Sequence, residues 1–250
     1  MSAIPFSRVF ASVQGVTWLW PSWLPLGQVT ALIAEPGTGK SALALWLAGC
    51  ASLALPPGET LVWPDGQPIV PAAAGAAPFP VLWCEAEARW AGHRTRAEEL
   101  RLPLGGLYSA VPDAQVFRLD SPGDMRELAT DCEKLRPRLI VLDSLAASHA
   151  HAGGGENSAQ MHRMIVPLQS LAAKYNACVL ILHHLKKEDK KAPRERISLD
   201  DARGSSAIGA ACTSVIAIDR PDANDLGNRR LYVVKSNYAR DFPPDVGFRW

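Results

Sequence analysis

The stretch Ala34-Glu35-Pro36-Gly37-Thr38-Gly39-Lys40-Ser41 gathers in one short segment the residue types that hold a phosphate chain. Gly37 and Gly39 let the backbone curl so that successive N–H groups converge on phosphate oxygens. Lys40 is a cation that reaches β- and γ-phosphates, and the Ser41 hydroxyl is a ligand for Mg²⁺. Before the stretch, the apolar run Val29–Ile33 reads as a buried strand. After it, Ala42–Ala48 reads as a helix whose positive N-terminal end faces the same anion. Strand, Gly-rich turn closing on Gly-Lys-Ser, and helix together make the P-loop order. The motif ordinarily opens on Gly; Ala34 stands there, which is tolerable if its φ stays negative. The plain alternative is a Gly-rich turn with a lone lysine, and the flanking strand and helix count against it.

In open parallel sheets ligands collect at the carboxyl ends of the strands. The residues that follow each apolar run are therefore the next candidates. Val81–Cys84 is followed by Glu85-Ala86-Glu87, where a carboxylate is placed to orient or deprotonate a water attacking the γ-phosphate. Glu85 and Glu87 share a face, so both are expected near the site; acidic residues favoured at a helix start are the alternative. Leu139–Leu142 ends in Asp143, the Walker B pattern, with the carboxylate holding Mg²⁺ through its water shell or Ser41. Cys178–Leu182 is followed by His183-His184. Adjacent strand residues point opposite ways, so one imidazole can face the γ-phosphate while the other packs; two satisfied core histidines are the alternative. Arg203, in Asp201-Ala202-Arg203-Gly204-Ser205-Ser206, and Arg240, in Lys235-Ser236-Asn237-Tyr238-Ala239-Arg240, are either surface arginines or fingers for a γ-phosphate.

The elements that must position these residues alternate between apolar runs and helical segments. Beyond the strands named, Gln115–Leu119 reads as a third strand, and Ser214–Ile218 with Arg230–Lys235 as an antiparallel hairpin. Arg89–Leu100 and Ser205–Ala211 read as helices. Ser121-Pro122 reads as N-cap and first helical residue of Gly123–Leu135. Pro167 predicts a kink or break in the helix near Ser158–Tyr175. This order implies an α/β core, a mostly parallel sheet flanked by helices, with a C-terminal antiparallel hairpin. Residues 1–26, with Trp18, Trp20 and Trp23, form a lead-in expected to pack beside the first strand. Residues 27–250 form the main domain, and a Pro/Ala-rich surface insertion occupies about 56–80, with Trp63-Pro64-Asp65-Gly66 as a turn and room for one small hairpin.

The bulk numbers exclude several classes. A chain of 250 residues with 48% hydrophobic content supports one large domain with a sizeable core. A formal net charge of +1 gives no global basic field, so nucleic-acid contact must come from local loops. The five cysteines form no C-x-x-C pair and sit in or near apolar runs, which suggests buried thiols. No apolar span approaches the roughly 18 residues of a membrane helix. Met1–Phe10 lacks a signal-peptide pattern, so the cytoplasm is the expected compartment.

Five pieces in this order, Glu35–Ser41, Val81–Glu87, Leu139–Ser144, Val179–Lys186, and Arg203–Ser206 with Lys235–Tyr238, are similar to RecA-like P-loop ATPases, most closely to RepA-type hexameric replicative helicases of plasmids and phages. The resemblance implies an ATP-hydrolysing, DNA-dependent motor that uses ATP and Mg²⁺ and assembles as a homo-oligomer, a hexameric ring. It implies Glu87, Lys40, His184 and Arg203 as catalytic residues. Nucleotide contacts would come from Glu35 to Ala42 (Glu35, Pro36, Gly37, Thr38, Gly39, Lys40, Ser41, Ala42), Asp143, Lys235 and Arg240, and metal contacts from Ser41 and Asp143. Where related bacterial helicases carry an Arg two residues past the Lys, Asn237 stands here, which leaves Arg203 or Arg240 for the trans finger. Single-stranded DNA would be held by loops 149–157 and 186–201; the second balances six basic against five acidic residues, a net of about +1. Two further readings use the same fold: a nucleotide-switched regulatory or assembly ATPase, and a recombinase-like filament ATPase.

Overall fold

Apolar residues in unbroken runs make strands that must be covered on both faces. In the computed structural model, which describes residues 3–11, 15–52, 62–69, 79–112, 115–149, 158–186, 195–222 and 224–249, those runs become the middle of one sheet. In chain order the elements are α1 (Phe6–Phe10), β1 (Trp18–Trp20), β2 (Leu24–Pro25), β3 (Val29–Ala34), α2 (Lys40–Ser52), β4 (Val81–Glu85), α3 (Trp90–Glu99), β5 (Leu107–Ser109) and α4 (Pro122–Leu135). There follow β6 (Leu139–Asp143), α5 (Ser158–Tyr175), β7 (Cys178–His184), α6 (Ser205–Ala211), β8 (Ser214–Asp219), β9 (Asn228–Ser236) and β10 (Val246–Arg249).

The main sheet has eight strands in the order β10-β9-β8-β3-β7-β6-β4-β5. Strands β8, β3, β7, β6, β4 and β5 run parallel, while β9 and β10 are antiparallel. This is the mostly parallel sheet with C-terminal antiparallel strands that the alternation of segments implies. Period-2 alternation divides the core. Ile140, Leu142, Val179 and Ile181 face the layer of α4, α5 and α6, where Leu128, Cys132, Ile165 and Ile208 meet them. Val141, Leu180 and Leu182 face the other layer, built from α2 with Leu43, Leu47 and Cys50. All five cysteines are buried and free, as the apolar runs around them suggested.

Trp20 and Trp23 are buried in the core. Trp20 stacks on Trp23 at 4.5 Å and on Trp63 at 5.5 Å, and Trp20 Nε1 donates to Asp65 Oδ2 at 3.0 Å. The turn at Trp63–Gly66 closes as a small hairpin, with Gly66 N–H donating to Trp63 O at 2.8 Å and Val62 bridging Pro68. Gly66 takes φ +78°, which favours glycine there. Trp63 is buried, so this part of the expected surface insertion is fastened to the core. Residues 53–61 and 70–78 of that region lie outside the described residues.

Two expectations are corrected. Gln115–Leu119 is not a strand: the neighbour of β4 is Leu107–Ser109. Phe117 N–H donates to Glu85 O and Leu119 N–H to Ser148 O, so this segment crosses over the strand ends instead of running beside them. Of the kink or break expected at Pro167, the break is absent: helix α5 continues through it. Pro167 lies on the exposed side of the helix, where solvent can reach the carbonyl that its ring leaves without an N–H. The N-cap of α4 is as expected: the Ser121 hydroxyl accepts from Asp124 N–H, with Pro122 in the first turn.

Candidate nucleotide site

The phosphate loop leaves β3 at Ala34, whose extended backbone removes any need for the motif's opening Gly. Gly37 and Gly39 take φ +72° and +108°, conformations that side-chain-bearing residues rarely adopt. Lys40 begins α2, and its Nζ folds back to donate to the carbonyls of Ala34 and Glu35, both at 2.9 Å. Burial lowers its pKa to about 8, with Asp143 and Glu87 partly opposing the shift. The outer side of the loop is held by two arginines from the β8–β9 hairpin. Arg229 Nε donates to Thr38 O at 2.6 Å and Arg220 Nη2 to Gly37 O at 2.8 Å. Because a trans peptide points its N–H opposite its C=O, fixing the Thr38 carbonyl also fixes the direction of the Gly39 N–H. The sequence reading missed both arginines. The hairpin itself was the available signal: an antiparallel β9 must start at the phosphate-loop end of the sheet.

The carboxylates sit on the adjacent strand ends. Glu85 of β4 is in register with Asp143 of β6. Burial raises the pKa of Asp143 to about 6, the Ser41 hydroxyl opposes this, and the charges of Glu85 and Glu87 add to the rise. Beyond β4, Glu87 Oε1 accepts from Ser144 Oγ at 2.6 Å, and its Oε2 pairs with Arg89 Nη2 at 2.5 Å. His184 Nε2 stands 3.9 Å from Glu87 Oε1. Lys40, Ser41, Glu87, Asp143 and His184 therefore lie at one end of the sheet.

Glu85 does not join them as an open carboxylate, contrary to the expectation that both glutamates approach the site. It is fully buried and surrounded by donors: Trp83 Nε1, His93 and the N–H groups of Glu87 and Arg89. Burial favours its protonated form, but the hydrogen bonds from His93 and Glu87 outweigh that and hold it below the ordinary carboxylate range. Ligand atoms of Glu85, His93 and Asp143 lie within 4.8 Å of one another, although His93 already hydrogen-bonds Glu85.

The two histidines divide as strand alternation requires. His183 is buried, its Nε2 donating to Arg203 O at 2.7 Å, and burial lowers its pKa to about 4. His184 is partly exposed beside Glu87; burial and then the charge of Lys40 hold it below the ordinary imidazole range. Arg203 N–H donates to His184 O at 3.2 Å, which places Arg203 next to the histidine pair of its own chain.

Lys235 is not brought to this chain's phosphate loop. Lys235 is in register with Val215, which pairs with Ala31, toward the start of β3. Its Nζ donates to the carbonyls of Gly209 and Cys212 at 2.6 and 2.8 Å, closing the end of α6. The reason is strand direction: β9 runs against β8, which is parallel to β3, so the end of β9 lies at the opposite end of the strands from Lys40; Arg240 follows that end by four residues. Of the two loops expected to hold DNA, residues 150–157 and 187–194 lie outside the described residues. The base of the second is tied down: Arg196 makes two 2.8 Å contacts with Asp245, and Tyr232 Oη accepts from Ile197 N–H at 2.6 Å.

The Ser41 hydroxyl and Asp143 carboxylate form the hard-oxygen set that suits Mg²⁺, and Asp143 Oδ2 is buried without a hydrogen-bond partner, so the residues present fit that ion. A family model described as an AAA domain matches residues 1–190. A DNA helicase/primase of Enterobacteria phage T3 is 23% identical over 139 residues, which cover 54% of this chain and 24% of the phage protein. The match thus spans about a quarter of that relative's length.

Proposed function

Since the chain belongs to the AAA domain family of P-loop ATPases, we propose that it hydrolyses ATP between subunits of a homo-oligomeric ring and uses the energy to move along and unwind DNA. Its fold is of the RecA-like P-loop type. The observation that carries the reading is the convergence of Lys40, Ser41, Asp143, Glu87 and His184 at the end of β3, β4, β6 and β7.

ATP lies along the Gly37–Lys40 backbone. Lys40 leaves the carbonyls of Ala34 and Glu35 and pairs with β- and γ-phosphate oxygens. Ser41 and Asp143 would hold Mg²⁺, which would supply positive charge against the phosphate chain. Glu87 takes the proton of the attacking water as the water oxygen bonds to the γ-phosphorus, while the bond from that phosphorus to the β,γ-bridging oxygen breaks and ADP leaves. Ser144 orients that carboxylate, and His184 donates to a γ-phosphate oxygen. A second copy supplies the remaining positive charge from Arg203, Lys235 or Arg240; the end of β9 lies away from this chain's own phosphate loop, which supports the use of Lys235 in trans.

Single-stranded DNA is the partner, held by loops 149–157 and 186–201. The phage helicase/primase relative supports this, as does the anchoring of Arg196 and Ile197 at the foot of the second loop. The test is ATP turnover with and without single-stranded DNA at low salt, for wild type, Lys40→Ala and Glu87→Gln, together with strand displacement on a forked substrate. DNA-stimulated turnover lost in both variants supports the motor. Turnover indifferent to DNA and to Lys40→Ala overturns it, while nucleotide-dependent assembly without displacement favours a switched assembly ATPase. Open filaments in electron micrographs favour the recombinase-like reading.

A further inference from the structure

Four residues, Ala86–Arg89, connect β4 to α3 and include Glu87, and a buried carboxylate collects two of their backbone N–H groups. Glu85 is fully buried. Its Oε1 accepts from the backbone N–H of Glu87 at 2.8 Å and of Arg89 at 3.3 Å. Its Oε2 accepts from Trp83 Nε1 at 3.2 Å and hydrogen-bonds His93 Nε2. His93 is buried edge-on between Trp83 and Trp90, with ring centroids 5.0 and 6.2 Å away. One oxygen is thus fastened to two rings of the core, and the other points at the loop. Between the two N–H groups it collects, Ala88 takes φ +57°, a left-handed turn that needs a reason to persist in a residue with a side chain.

We propose that Glu85 is a positioning residue for Glu87: it grips the backbone of the loop and sets where the carboxylate of Glu87 stands relative to Ser144, Asp143 and His184. This rests on the assignment of Glu87 as the base. Chemistry explains the residue type. Four donors converge from two sides, and a carboxylate has an acceptor oxygen for each side. An amide of the same shape has one acceptor oxygen and must turn an NH₂ toward donors on the other side. An acid buried away from substrate is costly unless it is bonded in this way.

The test compares Glu85→Gln with Glu87→Gln in the full chain, measuring kcat, KM for ATP in the presence of single-stranded DNA, mant-ATP binding and Tm. The expected result is loss of turnover in Glu87→Gln, and in Glu85→Gln a kcat at least tenfold lower with KM and mant-ATP affinity within about threefold of wild type. Wild-type kcat in Glu85→Gln beside an inactive Glu87→Gln overturns the positioning role and leaves the base assignment standing. Full turnover in Glu87→Gln overturns both. A loss in Glu85→Gln shared between KM and kcat, or matched by lost nucleotide binding and a collapsed Tm, also overturns the positioning role. If Glu85→Gln does not fold, His93→Leu and His93→Gln decide. Removing the donor lowers kcat at unchanged KM, and the amide NH₂ of Gln restores it; equal turnover in the two overturns the proposal.

Discussion

At the residue scale, each side chain around the phosphate loop has an environment that matches one task. Glu87 is exposed enough to meet water and close enough to Ser144 and His184 to be oriented, whereas Glu85, two residues earlier, is sealed in the core. The histidine pair divides in the same way. His183 is held neutral by burial, with its folded pKa near 4 below the ordinary 6.5. A depressed pKa means that its contribution is fully present above about 6.5 and is lost as pH falls toward 4. By pH 4.5 this one group is expected to remove roughly 2 kcal/mol of stability. His183→Gln should therefore lose less stability than wild type between pH 7 and pH 4.5, measured by urea unfolding; equal losses would show that other groups dominate the acid limb.

At the element scale, the phosphate loop depends on the β8–β9 hairpin. Arg229 is buried and donates to Thr38 O; Arg220 is exposed and donates to Gly37 O. Arg229→Ala is expected to weaken mant-ATP binding by about tenfold to a hundredfold through the loss of a charge-assisted hydrogen bond, about 1.5–3 kcal/mol, from the loop. Arg220→Ala should cost less because water can replace the exposed donor. Comparable effects of the two would argue against this ranking. Elsewhere the Trp20–Trp23–Trp63 stack fastens the turn at 62–69 to the α2 layer. Removing Trp63 from it, as Trp63→Ala, should destabilise the fold by about 3 kcal/mol, read from the shift of the urea midpoint.

At the scale of the whole molecule, the sheet has two chemically different ends. One, where the parallel strands end, carries Lys40, Asp143, Glu87 and His184; the other, where they begin, carries Lys235, fastened to the end of α6. Ring assembly would bring the second end of one copy to the first end of the next. ATP turnover per chain should then rise with protein concentration. Mixing wild type with the inactive Lys40→Ala variant should change activity by more than simple dilution, because inactive copies also serve as neighbours. A linear loss in the mixing experiment would mean that each copy works alone.

The linear order of residues was enough to place a Gly-rich turn between β3 and α2, the strands that end at Asp143 and His184 and two residues before Glu87, the cap at Ser121 and the antiparallel C-terminal strands. Each depends on local periodicity or on the φ freedom of particular glycines, which neighbouring residues determine. Tertiary structure decided matters that depend on what lies alongside. It turned Glu85 inward because four donors from Trp83, His93 and the loop converge on it. It placed Leu107–Ser109 at the sheet edge in place of Gln115–Leu119, since strand pairing is a contact between distant segments. It also sent the start of β9, with Arg229, to the phosphate loop and its end, with Lys235, away from it. A sequence shows that a strand is present; its direction in the sheet determines which of its ends meets the nucleotide.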